Sequence, residues 1–326
     1  MTDYKCKYPI LFITFIKENE TKQIFETIRQ VKPDRLYLAS DGARIEKQGE
    51  KEKVENLRKW LVSNVNWNCE VKTKFNEKNL GCGHGPADAI SWFFENQEMG
   101  IILEDDILAD LSFFRFCDEL LKKYKDDDRI GQIGGFNRID KEIKSSEYYF
   151  SKYPQIWGWA SWRRAWADYD FTISSWERLR NTDFVYHAFS NKYFAKEKIE
   201  TYNKTYNSRG EYYNTWDFQW TFCNLVQNRL TIIPSCNLIT NIGFNKDATH
   251  TFDKKDPRKN IQRGEIIFPL KHPVSFVCDS RRDKKLVDLL TPNRWVRAKR
   301  KLRLILPDSF IKFYKFIRNK KQKGIP

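Results

Sequence analysis

The chain has 326 residues, and 58 Lys and Arg against 43 Asp and Glu give it a formal net charge of +15. Hydrophobic residues make up 40% and aromatic residues 15%, which excludes a disordered chain, and 14 Gly and 11 Pro are too few for a fibrous protein. The charge by itself fits a nucleic-acid binder, a membrane-surface protein or an enzyme for anionic substrates.

Most of the excess positive charge lies near the C-terminus. Residues 294–326 contain 12 Lys and Arg and a single acid, Asp308, so the preceding chain is close to neutral for its size. A domain that binds nucleic acid would carry basic residues over the surface of its folded body. The sequence therefore predicts no nucleic-acid partner, and an RNA-binding tail stays open as an alternative.

The cysteines and the N-terminal segment indicate a cytoplasmic protein. The seven cysteines are irregularly spaced and form no CxxC pair, which favours reduced thiols over a zinc site or a disulfide framework. The apolar run at 10–15 (ILFITF) is too short for a signal peptide. No stretch reaches the roughly 18 apolar residues of a membrane span.

Strands and helices alternate over the first 110 residues. Strands are predicted at 10–15, 35–39, 69–74 and 100–103, and helices at 21–30, around 54–61 and at 87–96, after a Gly-rich loop at 79–86. This order predicts an α/β fold with an open sheet, in which ligands bind beyond the carboxyl ends of the strands. Asp41 and the triplet Glu104, Asp105 and Asp106 follow such strands, so we expect them to line one crevice.

The second half of the chain is less regular. Short strands are predicted at 131–136, 156–162 and 230–234. The polar stretch 176–213 is interpreted as an insertion over the crevice, and 241–252 as a glycine-containing loop.

The acidic triplet predicts a cation site. Three adjacent acids at the end of an apolar strand repel one another and lose hydration, so they favour a position where a cation neutralises them. Carboxylate oxygens suit Mg²⁺ or Mn²⁺ held jointly with a diphosphate. The alternative is a solvated turn that caps a helix beginning near Asp110.

Two aromatic-rich motifs carry further candidates. Asp217 lies between Trp216 and Trp220, and an apolar wall raises the proton affinity of a carboxylate towards that of a general base. The alternative is that Asp217 caps a helix over 218–226. The motif at 157–162 (WGWASW) offers indole faces on which a sugar could pack, or it is plain aromatic core.

The ordered series of these motifs over about residues 8–255 resembles nucleotide-sugar glycosyltransferases of the GT-A fold. It is most similar to the mannoside β-1,2-N-acetylglucosaminyltransferase family and its bacterial relatives. The resemblance implies a Rossmann-like GT-A domain over residues 1–280, with a nucleotide-binding part at about 8–110 and an acceptor part at about 130–280.

The resemblance also implies roles for individual residues. Asp106 would bind Mn²⁺ or Mg²⁺, and Asp217 would be the catalytic base of an inverting transfer from a UDP-linked sugar. The donor would be held by a further set of side chains, namely Lys17, Asp41, Glu104, Asp105, Trp159, Trp216, Thr249 and His250. Lys17 stands where the mannoside-specific family has Arg. Phe218 stands where that family has a second acid, and the polar stretch 176–213 looks longer; these two differences leave the acceptor and the donor sugar open.

The C-terminal residues 281–326 are predicted to form a basic amphipathic tail. Phe310, Phe313, Tyr314 and Ile317 recur at helical spacing, with Lys312 and Lys315 opposite them. This pattern is typical of a helix on an anionic membrane surface, here the inner face of the membrane, and it would suit a saccharide or lipid-linked acceptor in surface glycan synthesis. A helix docked on the domain is the alternative.

The competing functions are an inactive GT-A-like binding module at the membrane and a nucleic-acid binder that uses the basic tail.

Overall fold

The structure is a computed structural model, and it describes residues 4–139, 146–189, 191–243 and 261–291. Within these ranges the strands are β1 Ile10–Thr14, β2 Arg35–Ser40, β3 Glu70–Phe75, β4 Met99–Glu104, β5 Ile107–Ala109, β6 Ile130–Gly134, β7 Tyr148–Ser151, β8 Trp159–Trp162, β9 Leu230–Pro234 and β10 Ile239–Asn241. The helices are α1 Glu18–Val31, α2 Glu50–Ser63, α3 Gly81–Asn96, α4 Leu111–Lys123, α5 Arg163–Trp166, α6 Trp176–Leu179, α7 Phe184–Ala188, α8 Lys192–Asn207, α9 Asp217–Val226 and α10 Ser280–Leu290, with a 3₁₀ turn at Glu211–Tyr213.

Eight strands form one mixed sheet in the order β3-β2-β1-β4-β8-β6-β9-β7. The first four are parallel neighbours, with Ile10 of β1 paired to Leu36 of β2 and to Ile101 of β4. Strand β8 runs antiparallel to β4 and β6, and β5 and β10 form a separate two-stranded ribbon. The predicted α/β fold with an open mixed sheet flanked by helices is confirmed.

Side-chain alternation places helices on both faces of this sheet. In β1, Ile10 and Phe12 face a core shared with α1, α2 and α4, whereas Leu11 faces a second core shared with α3, α5 and α9. Both faces of β1 are therefore buried, which explains why its sequence is continuously apolar rather than alternating. The carboxyl ends of β1, β2 and β4 lie next to one another at one edge of the sheet.

The prediction of a Gly-rich loop at 79–86 is wrong over most of this range, because α3 already begins at Gly81 and contains Pro86. The cap of this helix comes from a distant residue. The Asp41 carboxylate accepts the backbone N–H groups of Leu80 at 2.9 Å and Gly81 at 2.9 Å. A cap supplied by another strand leaves no local sequence signal.

The insertion at 176–213 forms a third hydrophobic cluster together with α10. Trp176, Tyr202 and Phe222 are buried in it, and Leu286 and Val287 of α10 pack against the same group. Helix α10 runs from Ser280 to Leu290, so residues 281–290, which the sequence interpretation places in the tail, belong to a helix that packs on the folded body.

Residues 292–326 lie outside the described residues, and the tail from there on stays a prediction. Among the described helices, none combines the length and the apolar composition that crossing a bilayer requires.

Candidate functional site

A cavity of about 570 Å³ opens at the carboxyl ends of β1, β2 and β4. Its opposite wall is the segment 213–218, which leads into α9. Seven of the predicted site residues line it, namely Lys17, Asp41, Glu104, Asp105, Asp106, Trp216 and Asp217. The fold therefore brings the acidic triplet and the proposed base into one space.

Lys17 neutralises part of the acidic triplet. Its Nζ lies 3.1 Å from Asp105 Oδ1 and 2.9 Å from Asp106 Oδ2. Burial disfavours the charged amine, but the two aspartates outweigh this effect and raise the pKa of Lys17. The other oxygen of Asp105 accepts the backbone N–H of Phe15 at 2.9 Å, which fixes the triplet against the end of β1.

Glu104 is the least compensated acid of the site. Burial, with the charge of Asp106 as the next cause, raises the pKa of Glu104 to about 8. In the part of the chain that the structure describes, its carboxylate makes no hydrogen bond or ion pair, while Asp105 and Asp106 share Lys17. The site therefore holds more carboxylates than cations.

Asp41 is held by the backbone around the start of α3. Beyond the two bonds to Leu80 and Gly81, its carboxylate accepts the N–H of Gly42 at 3.0 Å. A Cβ on Gly85 would approach Asp41 Oδ2 to 3.3 Å, so the helix lies directly against this side chain. Asp41 thus fixes α3 against the end of β2 and lines the cavity at the same time.

Asp217 is the first residue of α9, and it does not act as the predicted helix cap. The residue in the cap position is Trp216, whose side chain makes no hydrogen bond to the free N–H groups there. The Thr215 hydroxyl donates a hydrogen bond to Asp217 Oδ1. Glu104 and the amine of Lys198 interact electrostatically with Asp217, so the base candidate faces both the acidic triplet and the insertion.

The first two of the three tryptophans in the WGWASW motif have different surroundings. Trp159 is fully buried and packs with Trp216 and Trp220 at ring distances of 5.6 Å. The lining of this cavity, as far as the described residues form it, contains Trp157 and does not include Trp159. Trp159 therefore supports the Trp216 wall from behind, and it does not face the cavity as the resemblance implies.

Sequence reasoning missed the residues that fix the wall carrying Asp217. Asn214 has a left-handed backbone with φ of 45°, and its Oδ1 accepts the backbone N–H of Gly83 at 3.1 Å. A Cβ on Gly83 would lie 3.1 Å from Thr215 N, so glycine permits this close approach. The only local signal is an asparagine, a residue type that tolerates left-handed backbone.

A second contact ties the same wall to α3. His84 Nε2 lies 2.7 Å from Glu211 Oε1, and its ring stacks on Phe171 with centroids 4.0 Å apart. The 3₁₀ turn before Asp217 is thus fixed to the helix that Asp41 caps. The strand ends on one side of the cavity and the wall at 213–218 on the other are joined through α3.

The carboxylate oxygens at this site suit a divalent cation that takes most of its ligands from a bound phosphate group and from water. Asp106 lines the cavity, and within the described residues its Oδ1 accepts no hydrogen bond. No group of three or more His, Cys, Asp and Glu residues with ligating geometry occurs in the described ranges. A hard cation bound to one protein carboxylate would need further oxygen ligands from a phosphate group and water.

Two predicted donor contacts cannot be placed. Thr249 and His250 lie outside the described residues. The chain is described up to Gly243, where a Cβ would approach Asp106 Oδ2 to 2.7 Å. The backbone therefore comes close to Asp106 just before the predicted loop.

No family model and no curated protein matches this sequence. Among solved structures, HddC from Yersinia pseudotuberculosis is 11% identical, with a TM-score of 0.31 over 48% of this chain and 77% of its own. TarS 1-349 from S. aureus is 12% identical, with a TM-score of 0.32 over 48% of this chain and 47% of its own. GalNAc-T7, solved with UDP, GalNAc and Mn²⁺, is 15% identical, with a TM-score of 0.34 over 49% of this chain and 36% of its own. This chain thus spans less than half the length of the latter two structures.

Proposed function

We propose that this protein is an inverting glycosyltransferase of the GT-A type, which transfers a sugar from a nucleotide diphosphate donor to a saccharide or lipid-linked acceptor. The observation that carries the proposal is the single cavity shared by the acidic triplet, Lys17 and Asp217. A UDP-linked donor follows from the resemblance of the motifs.

Donor binding is assigned to the carboxyl ends of β1, β2 and β4. The Lys17 amine would move from the aspartates to the diphosphate oxygens, where it supports the negative charge that develops as the glycosidic bond breaks. Asp106 would hold Mn²⁺ or Mg²⁺, which supplies charge neutralisation at the diphosphate when bound. Asp41 would contribute through the position of α3, since its oxygens already accept backbone N–H groups.

Proton transfer is assigned to Asp217. Its carboxylate would take the proton of the acceptor hydroxyl while the oxygen attacks the anomeric carbon from the face opposite the leaving diphosphate. One base is sufficient for a displacement with inversion, and no covalent intermediate on the protein is required. The Thr215 hydroxyl orients the Asp217 carboxylate by its hydrogen bond to Oδ1.

A thermal-shift screen of nucleotide diphosphate sugars with and without Mn²⁺ tests donor binding. A ligand that binds only the folded state at 100 times its Kd stabilises it by about 2.7 kcal/mol, which raises Tm by several degrees. We expect one nucleotide class to give this shift only with Mn²⁺, and Asp106→Asn to abolish it.

Asp183→Asn is the matched control for that variant, because Asp183 is exposed and lies outside the cavity lining. No shift with any nucleotide sugar, or an equal shift in Asp106→Asn, would contradict the proposed donor site. Binding without any transfer or hydrolysis would instead support the inactive binding module.

A further inference from the structure

The segment 271–279 crosses the outer edge of the sheet and exposes two valines. Val274 is 107% exposed and Val277 is 66% exposed, so two branched apolar side chains of one short segment contact solvent. The segment lies along β7, the last strand of the eight-stranded sheet, where Phe150 pairs with Cys278 in an isolated bridge.

The neighbours of Val277 fix its outward direction. Phe276 packs on Phe150 with ring centroids 4.4 Å apart, and the Cys278 thiol lies 3.0 Å from Asp283 Oδ2. Both neighbours of Val277 therefore face the body. Turning Val277 inward would break these contacts, so its exposure belongs to the packed structure of this segment.

Helix α10 follows directly and presents basic residues on its outward side. Arg281, Lys284 and Lys285 are exposed, as is Lys271 at the start of the segment. One acid of the helix is turned away from that side. Asp283 is buried, and it accepts hydrogen bonds from Ser151 Oγ at 2.5 Å and Lys152 N at 3.0 Å.

The other two acids, Asp279 and Asp288, offset part of this charge. Asp279 accepts the backbone N–H of Arg282 as the cap of α10, and it pairs with the Arg282 side chain at 3.3 Å. Between residues 271 and 291, Asp288 is the one exposed acid. The outward surface of this region is therefore both apolar and positively charged.

We infer that residues 271–285 form a contact surface for an anionic lipid bilayer on the folded body itself. Anionic membranes bind surfaces that combine two features. Exposed apolar side chains enter the lipid interface, and basic residues beside them attract the anionic headgroups. Charge complementarity favours this occupant. The chain also continues from Thr291 into residues 294–326, whose sequence carries 12 Lys and Arg and one acid. This surface is independent of the proposed sugar transfer.

The test measures partitioning of the full-length chain onto vesicles. Sedimentation with phosphatidylcholine vesicles containing 30% phosphatidylglycerol is compared with pure phosphatidylcholine at about 0.1 M salt. We expect Val274→Glu/Val277→Glu to lower the partition coefficient on the anionic vesicles by about tenfold or more. Lys284→Gln/Lys285→Gln should lower it by about 25-fold, since each surface lysine contributes roughly fivefold.

Matched controls lie near the other edge of the sheet. Ile45 is 99% exposed in the loop after β2, and Lys51 and Lys53 are exposed on α2. Ile45→Glu and Lys51→Gln/Lys53→Gln should change partitioning by less than about twofold. Thermal melting without vesicles is measured for every variant, so that a loss of partitioning is distinguished from a loss of folding.

Three results would overturn the inference. The first is no partitioning of the wild type onto anionic vesicles, and the second is an equal effect of the control substitutions. The third is an unchanged partition coefficient in both test variants together with weaker binding of Lys284→Gln/Lys285→Gln to single-stranded RNA, which would assign the surface to nucleic acid.

Discussion

The carboxylates of the cavity outnumber the cations available to balance them. Lys17 bridges Asp105 and Asp106, while Glu104 stays without a hydrogen-bonding partner among the described residues and Asp217 interacts with it across the cavity. Such an excess of negative charge destabilises the protein without a ligand and favours whatever cation enters. We interpret it as the electrostatic basis of the proposed donor site.

Glu104→Gln tests this imbalance through the pH dependence of stability. Because the folded protein raises the pKa of Glu104 to about 8, it holds this proton more tightly than the unfolded chain does. Stability from this group is therefore lost as the pH rises from about 5 to about 8. In urea denaturation with EDTA, the gain in free energy of unfolding of Glu104→Gln over the wild type should grow across this range. A difference independent of pH would contradict the charge balance described here.

The position of the acids could be predicted from the sequence, but the direction of each tryptophan could not. Acids that follow buried strands must lie at the carboxyl edge of the sheet, wherever the rest of the chain goes. Trp157 and Trp159 are separated by Gly158, whose φ of 60° turns the chain between them. The sequence does not reveal this turn, so the resemblance assigns Trp159 to the donor although its side chain belongs to the core.

At the scale of elements, α3 connects the two sides of the cavity. Its first turn is held by Asp41 from β2, and its Gly83 and His84 contact the wall before Asp217. The sequence predicted the strand ends and most of the helix, because both depend on local apolar periodicity. It missed the start of α3 and the Asn214 contact, because both depend on residues far apart in the chain.

Asp41→Asn tests the capping of α3 without any nucleotide. An amide has one acceptor oxygen where the carboxylate has two. The N–H of Gly42 bonds Oδ1 and the N–H of Gly81 bonds Oδ2, so at least one of them loses its partner. We expect the free energy of unfolding in urea to fall by about 1–2 kcal/mol. Asp183→Asn, at an exposed position whose side chain caps nothing, should stay within about 0.5 kcal/mol. Equal stability of the two variants would contradict a capping role of Asp41.

At the scale of the whole molecule, α10 joins the insertion to the body. Leu286 and Val287 pack with Trp176 and Tyr202, while Asp283 bonds β7. Composition alone placed these residues with the basic tail, since α10 contains many charged residues. Their packing depends on a short stripe of buried residues at positions 283, 286 and 287. In the sequence, so short a stripe does not distinguish a packed helix from a solvated one.

Leu286→Ala tests whether α10 is an integral part of the fold. Leu286 is 5% exposed, so its truncation should lower the free energy of unfolding by about 2–4 kcal/mol in one cooperative transition. Leu289 lies on the same helix but is 55% exposed, and Leu289→Ala should change the free energy of unfolding by less than about 0.5 kcal/mol. Similar, small effects of both variants would show that α10 contributes little to the stability of the body.

The most direct test of the central proposal compares Asp217→Asn with the wild type, using the donor identified in the thermal-shift screen. Sugar transfer or donor hydrolysis is measured under saturating donor and Mn²⁺, and donor affinity is measured by titration calorimetry. The proposal predicts a rate lowered by 100-fold or more with a donor Kd changed less than about threefold, because a general base acts in the transition state and not in donor binding. A rate within about threefold of the wild type would contradict the assignment of Asp217 as the catalytic base.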